Sequence, residues 1–282
     1  MLFRSEGAQV VGLVEEASAG ALARFAGALA VHPRKAMQAL RLGASLLGVP
    51  LIAGTRVVAA EGDGGVRRVL LEGEGGRTRV VDCDALAAGW GLVPQTELAQ
   101  SLGCALAPRF GAPAIVVDAQ QRTSVDGVLA VGECTGIAGA VAAQLQGEAA
   151  GRAVADDEVP SDPPARPSHR LAREHAFAAA VAATFPPPSD WAARLRDDTL
   201  VCRCEDVPWS ALREQPDLRS AKLATRCGMG HCQGRLCHDT LAAVMHWPRL
   251  PVRPPLSPMP LATLLALLDN PPEHPSNEEH ST

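Results

Sequence analysis

The chain has 282 residues, 47% of them hydrophobic and 20% charged, with a formal net charge of −5, a composition that suits a globular protein with room for two or three modest cores. The acidic balance supplies none of the basic excess on which nucleic-acid recognition rests, so no nucleic-acid partner is expected. The N-terminal run MLFRSEGAQVVGLVEEA lacks a secretory-signal pattern, and the longest apolar stretch, residues 176–185, falls far short of the ~20 residues that cross a bilayer as a helix; a cytoplasmic chain without a transmembrane segment is expected.

In chain order, AQVVGLVEEA is a short apolar run that ends in acidic residues, and residues 20–48 have helical character. VPLIAGTRVVAAEGD, VRRVLLEGEG and TRVVDCDALAAG then read as strands punctuated by Gly and Asp turns. Further on, a buried strand over Val128–Val131 is expected directly before a glycine-rich turn, with an alanine-rich helix beginning near Gly136. Residues 157–170 are polar and proline-rich, as in a linker, and are followed by a helix over about 171–184. The tail after residue 250 starts as an extended proline-rich run and ends in a dozen polar residues expected to be disordered.

Eight cysteines without an export signal point away from a disulfide framework and toward metal or redox chemistry. Five of them, Cys202, Cys204, Cys227, Cys232 and Cys237, fall within 36 residues, in the segments VCRCED and TRCGMGHCQGRLCHD. A 2Fe-2S cluster needs four thiolates in two pairs, brought together from two stretches of backbone. Glycines 228, 230 and 234 would let the backbone approach the sulfurs, and HDTLAAVMHW reads as a helix whose positive end faces them. A structural zinc site also uses four cysteines, but C-x-C is a poor zinc knuckle. A Rieske centre needs two histidines on one iron, and the first segment has none. Spacing leaves two candidates for the second pair, since Cys227 with Cys232 and Cys232 with Cys237 are both C-x4-C.

The pattern C-R-C-E-D-V followed by T-R-C-G-M-G-H-C-Q-G-R-L-C resembles the 2Fe-2S domain related to bacterioferritin-associated ferredoxin. That domain is found in hydrogen cyanide synthase B subunits, opine oxidase A subunits and anaerobic glycerol-3-phosphate dehydrogenases. The resemblance implies a cluster on Cys202, Cys204, Cys232 and Cys237, with Cys227 spare. TSVDGVLAVGECTGIAGAVAAQLQGEAAG, residues 123–151, resembles the second flavin-binding motif of two-dinucleotide-domain flavoproteins. There Glu133 would accept hydrogen bonds from ribose or ribityl hydroxyls, Gly132 would permit close approach, and the backbone at Ile137 and Ala138 would open the helix. CDALAAGWGLVPQTELAQSLG resembles the segment that returns to the flavin domain in the same proteins. Cys83, Cys104 and Cys134 are scattered and read as structural.

The fold expected is α/β: a partial two-dinucleotide-domain flavoprotein fold followed by a small helical 2Fe-2S domain. Its divisions are a partial nucleotide-binding domain (1–100), the C-terminal part of an FAD-binding domain (101–156), a linker and helix (157–198), a 2Fe-2S domain (199–250) and a proline-rich tail (251–282). No G-x-G-x-x-G occurs anywhere in the sequence, so the chain reads as an N-terminally truncated or split polypeptide that begins at the second strand of the nucleotide domain. It would bind FAD weakly alone and leave apolar strand surface exposed. Glu15 and Glu16 stand where an acidic residue would meet an adenosine ribose, and read as a solvated strand end in the absence of the glycine loop. The resemblance further implies a second flavoprotein subunit that oxidises an amino-acid-like substrate. The alternatives are a flavin-free 2Fe-2S electron-transfer module and an inactive scaffold subunit.

Overall fold

The computed structural model describes residues 6–155, 168–252, 256 and 258–269; most of the proline-rich linker and the polar end of the tail lie outside them. The chain forms two units, Met1–Asp190 and Trp191–Thr282. No helix among the described residues is long and apolar enough to cross a membrane.

In the first unit β1 (Leu13–Glu15) pairs in parallel with β2 (Leu51–Ala53), Leu13 opposite Leu51. Two helices connect them. α1 (Ala19–Leu29) is capped by Ser18, whose Oγ accepts from the Ala21 N–H at 3.2 Å. α2 (Pro33–Ser45) begins on a proline, whose fixed φ and missing N–H suit a first helical turn. The His32–Pro33 break divides the expected single helical segment in two. Parallel strands are ordinarily covered on both faces, yet Leu13, Val14 and Leu51 are exposed, Leu51 by 60%.

β3 (Thr55–Glu61), β4 (Arg68–Gly73) and β5 (Thr78–Asp82) form an antiparallel sheet with β4 central. Its inward face carries Val69 and Leu71, both buried. Arg56 faces Glu72 across the ladder and donates to its carboxylate at 2.6 and 2.8 Å. A short helix α3 (Glu97–Ser101) precedes a hairpin, β6 (Leu106–Arg109) and β7 (Ala112–Ile115). The hairpin turns on Phe110 and Gly111, both at positive φ as a two-residue loop requires.

The expected strand over Val128–Val131 is not a strand. The run makes one antiparallel bridge, Leu129 to Arg122, and leaves Leu129 and Val131 exposed. No neighbouring strand lies beside it among the described residues, and an extended segment without a ladder partner cannot form a sheet. α4 (Ala140–Ala155) also starts four residues later than Gly136. Positive φ at Gly136 and Gly139 keeps the intervening backbone out of the helical region. α5 (His169–Thr184) packs on α1 through Phe177, whose ring centroid is 5.9 Å from that of Phe25, and on α4 through Leu171 and Ala178. It therefore belongs with the first unit.

The second unit begins with α6 (Trp191–Arg194), a two-stranded hairpin of β8 (Leu200–Cys202) and β9 (Val207–Pro208), and the short helix α7 (Trp209–Leu212). α8 (Leu218–Thr225), α9 (His238–Met245) and α10 (Leu261–Asp269) follow. Its core joins Trp209, Leu212, Leu218, Ala221 and Leu241 to the sulfurs of Cys202, Cys227 and Cys237.

Candidate functional site

Three local structures converge on the cysteines. The β8–β9 hairpin turns through Asp206 at φ +49°, so that Cys202 faces the core while Cys204, at the tip, is exposed. α8 starts on Asp217, whose Oδ1 accepts from the Ser220 N–H at 2.7 Å. It ends at Arg226 in the left-handed region, and the Arg226 guanidinium pairs with Glu205 at 2.8 Å, tying the helix end to the C-x-C turn. Cys227 follows at once, fully buried, with its N–H donating to Thr225 Oγ1 at 3.2 Å.

The glycines between Cys227 and Cys237 each make room for something. A Cβ on Gly230 would lie 2.4 Å from Cys204 Cβ, so only glycine lets the second segment approach the first this closely. Cβ atoms on Gly228 and Gly234 would lie 1.8 and 2.3 Å from atoms of the His238 ring, which therefore sits between the two limbs of the loop. Both glycines have positive φ. Burial pushes the His238 imidazole below its ordinary pKa.

The Sγ atoms of Cys202, Cys227 and Cys237 lie within 4.8 Å of one another. Cys227 donates to Cys237 at 3.8 Å, and the Gly228 N–H donates to Cys202 Sγ at 3.5 Å. Cys204 is exposed and Cys232 half-buried, on the outer side of this group. The Cys227 thiol and burial together hold Cys237 far above the ordinary thiol range, a strong preference for the neutral form that a cation among the sulfurs would reverse. The donor set fits a soft metal centre. Three of the five thiols named in the sequence, Cys202, Cys227 and Cys237, thus meet; of the expected ligand set, Cys202 and Cys237 are buried, Cys204 is exposed and Cys232 is half-buried.

The second candidate lies in the first unit. After Val131, Gly132 at φ +84° opens a single 3₁₀ turn, Glu133–Thr135, with Glu133 exposed. A closed set of bonds locks this turn to α4. The Gly132 N–H donates to Gln146 Oε1 at 2.9 Å, Gln146 Nε2 donates to Thr135 Oγ1 at 2.8 Å, and Thr135 Oγ1 donates to the Gly132 carbonyl at 2.8 Å. Ile137 and Ala138 lie ahead of the helix rather than in its first turn, because α4 begins at Ala140. The N–H groups of that first turn have no intrahelical acceptor, as at every helix start.

Arg109, at the end of β6, was not singled out by the sequence. Its guanidinium donates to the Thr135 carbonyl at 3.1 Å and reaches His175 Nδ1 at 3.1 Å. A Cβ on Gly136 would meet Arg109 Cδ and Phe110 Cδ2 at 3.0 Å. Burial lowers the pKa of both Arg109 and His175, and Arg109 lowers His175 further. No local motif marks Arg109; its partners lie 26 and 66 residues away. Glu15 Oε1 accepts from the Ala17 N–H at 2.8 Å and Glu16 accepts from Trp90 Nε1 at 3.3 Å, so both serve the end of β1. Cys83, Cys104 and Cys134 are all free thiols outside the cluster.

Residues 21–147 match the family described as pyridine nucleotide-disulphide oxidoreductase. The chain is 31% identical over 254 residues to hydrogen cyanide synthase subunit HcnB of Pseudomonas aeruginosa, covering 82% of this chain and 54% of that one. It is 33% identical over 202 residues to the opine oxidase A subunit of Rhizobium meliloti, covering 63% and 38% respectively. It therefore spans about half the length, or less, of these curated relatives. Among solved structures it shares the fold of L-proline dehydrogenase from P. horikoshii, with a TM-score of 0.56 and 22% identity over 82% of this chain and 48% of the other. The fold is thus mixed α/β of the dinucleotide-binding flavoprotein kind, and the chain is a homologue of oxidoreductase subunits.

Proposed function

We propose that this chain is a subunit of a flavin-dependent oxidoreductase of the amino-acid or opine dehydrogenase or oxidase type. In this reading Cys202, Cys204, Cys232 and Cys237 hold a 2Fe-2S cluster, and the turn at Gly132, Glu133, Ile137 and Ala138 forms part of an FAD site. The observation that carries it is that Cys202 and Cys237, from two segments, meet in one buried group with Cys227, and that Gly230 approaches Cys204 as closely as only glycine allows. When bound, flavin exchanges electron pairs with a substrate and the cluster relays single electrons.

The chain's own residues supply the setting. The thiolates provide the charge that holds a cationic metal centre, and the Gly228 N–H stabilises negative charge on the Cys202 sulfur. Exposed Cys204 and half-buried Cys232 put one side of the centre within reach of an electron-transfer partner. Glu133 offers a solvent-accessible carboxylate to sugar hydroxyls, on a turn bonded to α4 through Gln146. The partner in this reading is a second flavoprotein subunit that oxidises an amino-acid-like substrate; the relatives are themselves named as subunits. Eight free thiols suit the reducing cytoplasm, where we place the protein.

A flavin-free 2Fe-2S electron-transfer module is the second reading. It is favoured by the absence of any G-x-G-x-x-G and by the open, ladderless run before Gly132. Absorption spectra of the purified chain, with iron and acid-labile sulfide analysis, separate the two. Flavin and cluster bands together support the enzyme subunit, cluster bands alone support the module, and neither would leave an inactive scaffold and refute both. Cys204→Ala and Cys232→Ala should each abolish the cluster bands.

A further inference from the structure

The cysteine segments of the second unit carry five thiols where a 2Fe-2S centre takes four, and three of them share its core. Cys227 is 0% exposed, and its sulfur shares one buried cluster with those of Cys202 and Cys237. Cys227 and Cys237 stand symmetrically about Cys232, each separated from it by four residues. The residues flanking them are fastened to a common element. Gly228, next to Cys227, closes on the Nε2 end of the His238 ring, and Gly234, three residues before Cys237, closes on its Nδ1 and Cε1 atoms; His238 itself adjoins Cys237. The two sulfurs are therefore held side by side whichever of them carries a metal bond.

We propose that Cys227 and Cys237 are interchangeable ligands to the same iron, so that the centre tolerates the loss of either. This rests on the cluster reading given above. The exchange needs no oxidant. The Cys227 thiol gives its proton to the departing Cys237 sulfur, the iron–sulfur bond to Cys237 breaks, and the bond to Cys227 forms with the electron pair left on its sulfur. At a separation of 3.8 Å and within an existing thiol hydrogen bond, the proton has a direct path. The displaced sulfur stays in a space already sized for a thiol.

The test uses the full chain as wild type, Cys227→Ala, Cys237→Ala and the double variant, each reconstituted anaerobically with ferrous iron and sulfide. Iron and labile sulfide are counted, and electron paramagnetic resonance of the reduced protein reports the ligand environment. Each single variant should keep roughly half or more of the wild-type iron, with spectra that differ from each other, while the double variant should keep less than about a tenth. Loss of iron from both Cys237→Ala and the near-isosteric Cys237→Ser overturns the proposal, as does loss from Cys227→Ala alone. Equal iron in the double variant and the singles overturns it too. A wild-type chain that takes up no iron, or only zinc, instead removes the cluster reading on which the proposal stands.

Discussion

Gly234→Ala tests the cysteine loop through a side chain that is not a sulfur. Gly234 has φ +83°, and an added Cβ would lie 2.3 Å from Nδ1 and 2.4 Å from Cε1 of His238. Holding alanine in the left-handed region costs about 1–2 kcal/mol, and forcing a packed ring aside costs about 1–3 kcal/mol more. The expected loss is then about 2–5 kcal/mol. For a unit of this size about 2 kcal/mol already lowers the midpoint by roughly 8 °C or more. Urea titration followed by tryptophan fluorescence reads it directly, since Trp191, Trp209 and Trp247 lie in this unit and only Trp90 lies outside it. Repeating the substitution on a His238→Ala background removes the overpacking but keeps the backbone cost. The two changes should therefore couple by about 1–3 kcal/mol. A loss under about 0.5 kcal/mol, or the same loss in both backgrounds, would refute the placement of His238 between the glycines.

Two further outcomes are expected. Gln146→Leu removes both bonds that lock the Gly132 turn to α4 from a side chain that is 2% exposed; it should cost about 1–3 kcal/mol and speed amide exchange at Gly132, and unchanged protection there would count against the lock. His175 has a pKa lowered by burial and by Arg109, so the folded state binds its proton less readily than the unfolded chain does. Stability from this group is complete above the unfolded histidine pKa of about 6.5 and declines as the pH falls below it. Chemical denaturation of the first unit between neutral and mildly acidic pH should show that decline in wild type and a weaker one in His175→Gln, and identical slopes would exclude His175 as its source.

The sequence by itself determined the elements whose signals are local. Apolar runs between Gly and Asp turns announced β3, β4 and β5, and the helical character of residues 20–48 announced α1 and α2, though not the break at Pro33 between them. It could not decide whether Cys227 or Cys237 pairs with Cys232, because both spacings are the same. Tertiary structure puts Cys227 inside the buried group, through a left-handed end to α8 and the His238 ring between two glycines. The run Val128–Val131 shows the opposite limit. Its residues favour a strand, but a strand exists only where a neighbour supplies a ladder, and here one antiparallel bridge is all that forms. Arg109 could be found only in three dimensions, because its partners, the Thr135 carbonyl of the turn before α4 and His175 of α5, are brought to it by tertiary packing rather than by its place in the chain.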